Sequence, residues 1–120
     1  MRKAVTYLAS PYSHGDPAVR EARFRAVCEH VADLMRRGAF IYSPIAHSHP
    51  VAEFGLPGDW AYWEAFDRQM LSRCDDLAVL CLPGWEESVG VRAEIGIARE
   101  FGMPVRFIEC SEHAPAGAEA

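Results

Sequence analysis

Four short apolar runs constrain this chain more than any other feature: AVTYLA (4–9), AFIYS (39–43), LAVLCL (77–82) and VRFI (105–108). Helical patterns fall between them. Strands joined through helices need crossover connections, which makes neighbouring strands parallel and covers the sheet with helices. Asp16 then Pro17 gives a helix cap and a favoured first-turn proline. Phe24, Val27, Cys28, Val31, Leu34 and Met35 follow at 3–4 spacing, and Gly38 suits the position after the helix. A second helix is predicted from Trp60, capped by Asp59, to Arg73, and a third from the Ser88 cap to near Gly102. The segment 44–59, with three prolines and two glycines, is expected as a long loop.

Length and charge narrow the classes. The 120 residues suffice for one domain over 1–110, with a small polar tail at 111–120 expected to be disordered. A net charge of -5 argues against a nucleic-acid polymer as partner but leaves room for one phosphate in a local pocket. No apolar run approaches the length of a membrane span, and the N-terminus turns polar at once, so neither a membrane anchor nor a secretory leader is expected. Cys28, Cys74, Cys81 and Cys110 show no metal-ligand spacing and read as buried free thiols of a cytoplasmic protein.

With the first strand in the middle, the second on one side and the third on the other, a ligand crevice is expected where the strands end. The segments there are SPYSH, SPIAHSHP and PGWEES, rich in hydroxyls, histidines and aromatics. Two carboxylates sit oddly near it. On a helical wheel Glu94 falls in the apolar arc of Val91, Ile95, Ala98 and Phe101. Asp67 falls inside the arc of Trp60, Trp63, Met70, Leu71 and Cys74, with Glu64 one turn earlier. A buried carboxylate needs a partner or a proton. It is either a satisfied structural group or a chemical one, and paired carboxylates in different environments suit acid and nucleophile roles.

YLASPYS (7–13), FIYSPIAHSHP (40–50), Asp67 with Asp75, and the segment from Ser88 through Gly90, Glu94 and Gly96 to Ala98 carry a resemblance. The chain resembles the family catalogued as DUF1937. Less closely, it is similar to the nucleoside 2-deoxyribosyltransferase superfamily, which includes 2'-deoxynucleoside 5'-phosphate N-hydrolases. The expected fold is α/β: a three-layer sandwich with a parallel, flavodoxin- or Rossmann-like sheet of four to five strands. The resemblance implies Glu94 as the nucleophile on a sugar's anomeric carbon, Asp67 and Asp75 as the aspartate pair, and Ser88 as a 5'-phosphate contact. It also implies a homodimer or higher homo-oligomer, a reading that the aromatic helix of Trp60, Tyr62, Trp63 and Phe66 supports. PIAHSHP and Trp85-Glu86-Glu87 depart from the characterised enzymes, so the base or phosphate pocket is expected to differ.

The expected activity is cleavage of the N-glycosidic bond of a nucleoside or nucleoside 5'-monophosphate, by hydrolysis or deoxyribosyl transfer, without a cofactor. Glu94, Asp67 and Asp75 are the catalytic candidates; Ser10, Tyr12, Ser13, His47, Trp85, Ser88 and Gly90 are the candidates for substrate contact. A nucleotide-sensing module without turnover and an NAD-cleaving glycosidase remain alternatives. His14, His47 and His49 raise a zinc reading, but neither cysteine nor carboxylate accompanies them at a familiar spacing, and no metal site is expected.

Overall fold

A computed structural model describes residues 2–110. The tail expected at 111–120 lies outside the described residues. Four strands form one parallel sheet: β1 (Val5–Ala9), β2 (Phe40–Tyr42), β3 (Asp76–Cys81) and β4 (Val105–Glu109). Their order is β2-β1-β3-β4. β1 therefore lies inside, with β2 and β3 as its neighbours, and the sheet has four strands, as the apolar runs imply.

Helices cover both faces, giving the three layers. α1 (Pro17–Arg36) packs on one face through Val27, Val31 and Leu34, against Leu8, Ala78 and Leu80. α3 (Trp60–Ser72) and α4 (Val89–Glu100) cover the other. There Leu71, Val91, Ile97 and Ala98 meet Tyr7, Ala9, Leu77 and Val79. The period-2 alternation of β1 explains the split, because Leu8 faces α1 while Tyr7 and Ala9 face α3 and α4. Helix ends follow the capping residues. Asp16 accepts from the Ala18 N–H at 2.9 Å, and Ser88 accepts from the Val91 N–H at 3.2 Å. Gly38 closes α1 with φ 99°, which a residue with a Cβ rarely adopts.

Three expectations change. Residues Pro44–Ala52 form a helix, α2, where a loop was expected. Ser43 caps it by accepting from the Ala46 N–H at 3.1 Å, and Pro44 occupies its first turn, where a missing N–H costs nothing. The Ser48 hydroxyl bonds back to the Pro44 carbonyl at 2.8 Å. Pro50 falls so late in the helix that few turns remain for it to disrupt. Asp59 stands at the cap position of α3 without a side-chain cap bond. The inward face of α4 is Val91, Glu94, Ile97 and Ala98, whereas Phe101 is exposed. No helix among the described residues is long and apolar enough to cross a membrane.

Candidate functional site

The chain reverses direction across the sheet between β1 and β3, so a crevice opens beyond their carboxyl ends. The loop after β1 contributes Ser10, Tyr12 and Ser13. α2 contributes Ile45, Ser48 and Ala52; α3 contributes Trp60, Trp63 and Asp67; the start of α4 contributes Ser88, Gly90 and Glu94. Seven residues singled out from the sequence thus meet in one crevice: Ser10, Tyr12, Ser13, Asp67, Ser88, Gly90 and Glu94. A Cβ at Gly90 would only touch Trp60 at 3.7 Å, an ordinary contact, so the packing itself does not demand glycine there.

Glu94 is 5% exposed and Asp67 8%. Each is carried inward by a helix whose remaining inward residues are apolar, so the helix cannot roll the carboxylate outward without exposing its core side. Tyr7, fully buried on β1, donates its hydroxyl to Glu94 Oε2 at 2.6 Å. Desolvation pushes Glu94 up to about 8, with Asp67 adding repulsion and the Tyr7 bond pulling the other way. Burial also pushes Asp67 up to about 7. The two interact, so they titrate as a pair that holds at least one proton near neutral pH. Tyr7 favours ionised Glu94 because its O–H donates to the anion. Asp67 Oδ1 has no hydrogen-bond partner, and neither have the Ser10 and Tyr42 hydroxyls, all buried. Buried polar atoms without partners are rare and mark positions that a ligand or water satisfies.

Three candidates go elsewhere. Asp75 does not reach the crevice. It precedes β3, at the opposite end of the sheet, where it accepts from the Val5 N–H at 2.8 Å and pairs with Arg2. The backbone explains this: eight residues after Asp67 the chain has left α3 and turned into the amino end of β3. Trp85 sits in a short 3-10 turn, Trp85–Glu87, and packs against Phe107 with centroids 5.4 Å apart. His47 is exposed and stacks on Phe66 at 5.5 Å. On α2 the separation of two residues points His47 and His49 apart. Ser88 keeps both readings open, as a helix cap and as a crevice residue.

Two residues at the site escaped sequence reasoning. Tyr7 and Tyr42 are register partners on β1 and β2, with rings 5.6 Å apart, and burial raises both hydroxyls well above the usual tyrosine range. Strand alternation was the available signal: it puts Tyr7 on the face of α3 and α4, where a buried hydroxyl must find a partner.

The family model described as Domain of unknown function (DUF1937) matches residues 4–110. No curated protein matches the chain.

Proposed function

The chain belongs to the DUF1937 family, and we propose that it cleaves the N-glycosidic bond of a nucleoside or nucleoside 5'-monophosphate. The observation that carries this reading is the buried Glu94–Tyr7 pair beside Asp67, in a crevice where Ser10 and Asp67 keep unpartnered polar atoms. Bond cleavage passes through an oxocarbenium-like state at the anomeric carbon. A carboxylate there stabilises the charge and can attack to form a glycosyl-enzyme. Glu94 takes that role, with Tyr7 holding one oxygen so that the other is free for the sugar carbon. Burial raises Asp67 toward neutrality, so in the form of the pair in which Glu94 is ionised Asp67 carries the shared proton and can pass it to the departing base. Water as acceptor then gives hydrolysis, and a second base gives transfer. Asp75, at the far end of the sheet, has no part in these steps.

Ser10, Ser13 and the Ser88 cap supply hydroxyls for the sugar or a 5'-phosphate, and the start of α4 adds backbone N–H groups and a favourable dipole. Trp60, Trp63 and Tyr12 give flat apolar walls for a base. The exposed Tyr62 and Phe66 on α3 favour a homo-oligomer, which light scattering across micromolar concentrations tests; a monomer throughout rejects it. Four free cysteines suit a reducing cytoplasm.

The decisive experiment follows free base by chromatography over a panel of nucleosides, 5'-monophosphates and NAD. Release by the native chain and its loss in Glu94→Gln support the proposal. Tight binding without release in both proteins identifies a sensor instead, and release from NAD alone identifies an NAD-cleaving glycosidase.

A further inference from the structure

Beyond the crevice lies a depression of about 950 Å³, which shares Tyr12, Ser13 and Asp59 with it. Apart from Tyr12, its wall carries a group of side chains that the glycosidic chemistry does not use. His49 on α2 is at the centre and is 8% exposed. Phe24 of α1 stacks on its ring, with centroids 4.2 Å apart. The Tyr12 hydroxyl lies 2.6 Å from Nδ1. The other nitrogen, Nε2, faces two carboxylates, Glu21 Oε1 at 2.8 Å and Glu53 Oε2 at 3.8 Å. Glu53 lies one helical turn beyond His49, and Glu21 arrives from α1, 28 positions earlier in the chain. One ligand atom from each of the three lies within 4.8 Å of the other two.

A histidine ion pair accounts for one carboxylate here. Nε2 carries at most one hydrogen, and Glu21 takes it; Glu53, at 3.8 Å, is beyond hydrogen-bond reach of the same nitrogen. Two like charges are therefore held against one imidazole edge. The rest of the depression does not relieve them, because Glu21, Glu53 and Asp59 line it against the single guanidinium of Arg20. A small divalent cation would.

We propose that Glu21, His49 and Glu53 bind one divalent transition-metal ion of the zinc or manganese class, through His49 Nε2 and one oxygen of each carboxylate. An imidazole nitrogen with two carboxylate oxygens suits these ions better than calcium or magnesium, which prefer all-oxygen shells. Metal–ligand bonds of about 2.0–2.2 Å place neighbouring ligand atoms roughly 3.5 Å apart; the two imidazole–carboxylate separations are 2.8 and 3.8 Å, and all three ligand atoms lie within 4.8 Å of one another. Glu21 and Glu53 are half exposed or more, so their terminal bonds can turn to close the shell. Tyr12 orients the ligand: with Nδ1–H donating to the phenol oxygen, the Nε2 lone pair is left for the metal. Three protein ligands leave coordination positions for water or for an oxygen of a molecule in the depression. The proposal stands apart from the glycosidase reading and needs no turnover to test.

The test is calorimetric titration of the chelator-treated full chain with zinc, manganese and magnesium chlorides. One zinc or manganese ion per chain should bind at micromolar dissociation constant or tighter, with magnesium at least about tenfold weaker. Glu21→Gln and Glu53→Gln change exposed carboxylates and should fold normally, which circular dichroism checks. Each should weaken binding at least about tenfold, and Tyr12→Phe, which removes the orienting hydroxyl, by about the same factor. His47→Gln, outside the cluster, should leave affinity unchanged. Absence of submillimolar zinc or manganese binding overturns the proposal. So does binding that survives both glutamine substitutions, which would place the ion elsewhere on the surface.

Discussion

Tyr12 stands between two carboxylate groups that the same loop–helix framework treats in opposite ways. On the inner side, Glu94 and Asp67 are withdrawn from water into the crevice, and desolvation raises both. On the outer side, Glu21 and Glu53 stay half exposed or more, flanking a histidine that is itself buried. The inner pair lacks counter-charge and shares a proton; the outer pair stays at the surface and gathers around one edge of the His49 ring. In the two proposals, burial of the carboxylate, not its type, separates the acid–base or nucleophilic role from the ligating one.

The largest expected difference between the two groups is catalytic. Glu94→Gln should reduce base release by about 10³-fold or more, and Asp67→Asn by about 10²–10⁴-fold, measured as initial rates on the best substrate of the panel. Glu53→Gln, assayed in chelator-treated protein, should leave the rate within about twofold. A comparable loss there would merge the two groups into one site.

Stability separates them next. Folding raises the Glu94 carboxyl from 4.5 to about 8, so its contribution is fully present below pH 4.5 and lost as pH rises toward 8. Over that window each pH unit costs the folded state about 1.4 kcal/mol. Glu94→Gln cannot ionise, and should therefore exceed the native chain by roughly 4 kcal/mol at pH 8 in urea unfolding, a gain that vanishes near pH 4. Glu53→Gln should change stability by no more than about 0.5 kcal/mol at either pH.

A smaller effect tests the proton assignment within the inner pair. Tyr7→Phe removes the donor that favours ionised Glu94, so the rise of activity with pH should move to higher pH by about one unit. An unmoved profile would show that another group sets the limb. The smallest effect belongs to Asp75→Asn. It should cost about 1 kcal/mol of stability through the weakened bond from Val5, with no change in rate, as its position at the far end of the sheet requires.

The strands and three of the four helices were legible because their signals are local: apolar runs, 3–4 spacing, and caps at Asp16 and Ser88. α2 was not, because Pro44 and Pro50 read as breakers until Ser43 and the first-turn position make the former harmless. Asp67 and Glu94 could be found because a charged residue in an apolar arc is visible on one helix alone. Asp75 was misplaced because a spacing of eight residues says nothing about which end of a sheet the chain has reached.

The sequence by itself thus determined the layer order, the inner strand, and two carboxylates turned toward the sheet. Periodicity carries that information, since each element buries its own apolar side. Only the tertiary structure decided which groups meet. Tyr7 reaches Glu94 across 87 positions, and Glu21 reaches His49 from the solvent side of another helix. Such contacts depend on how strands pair and helices dock, and no local pattern records the distance between side chains that far apart in the chain.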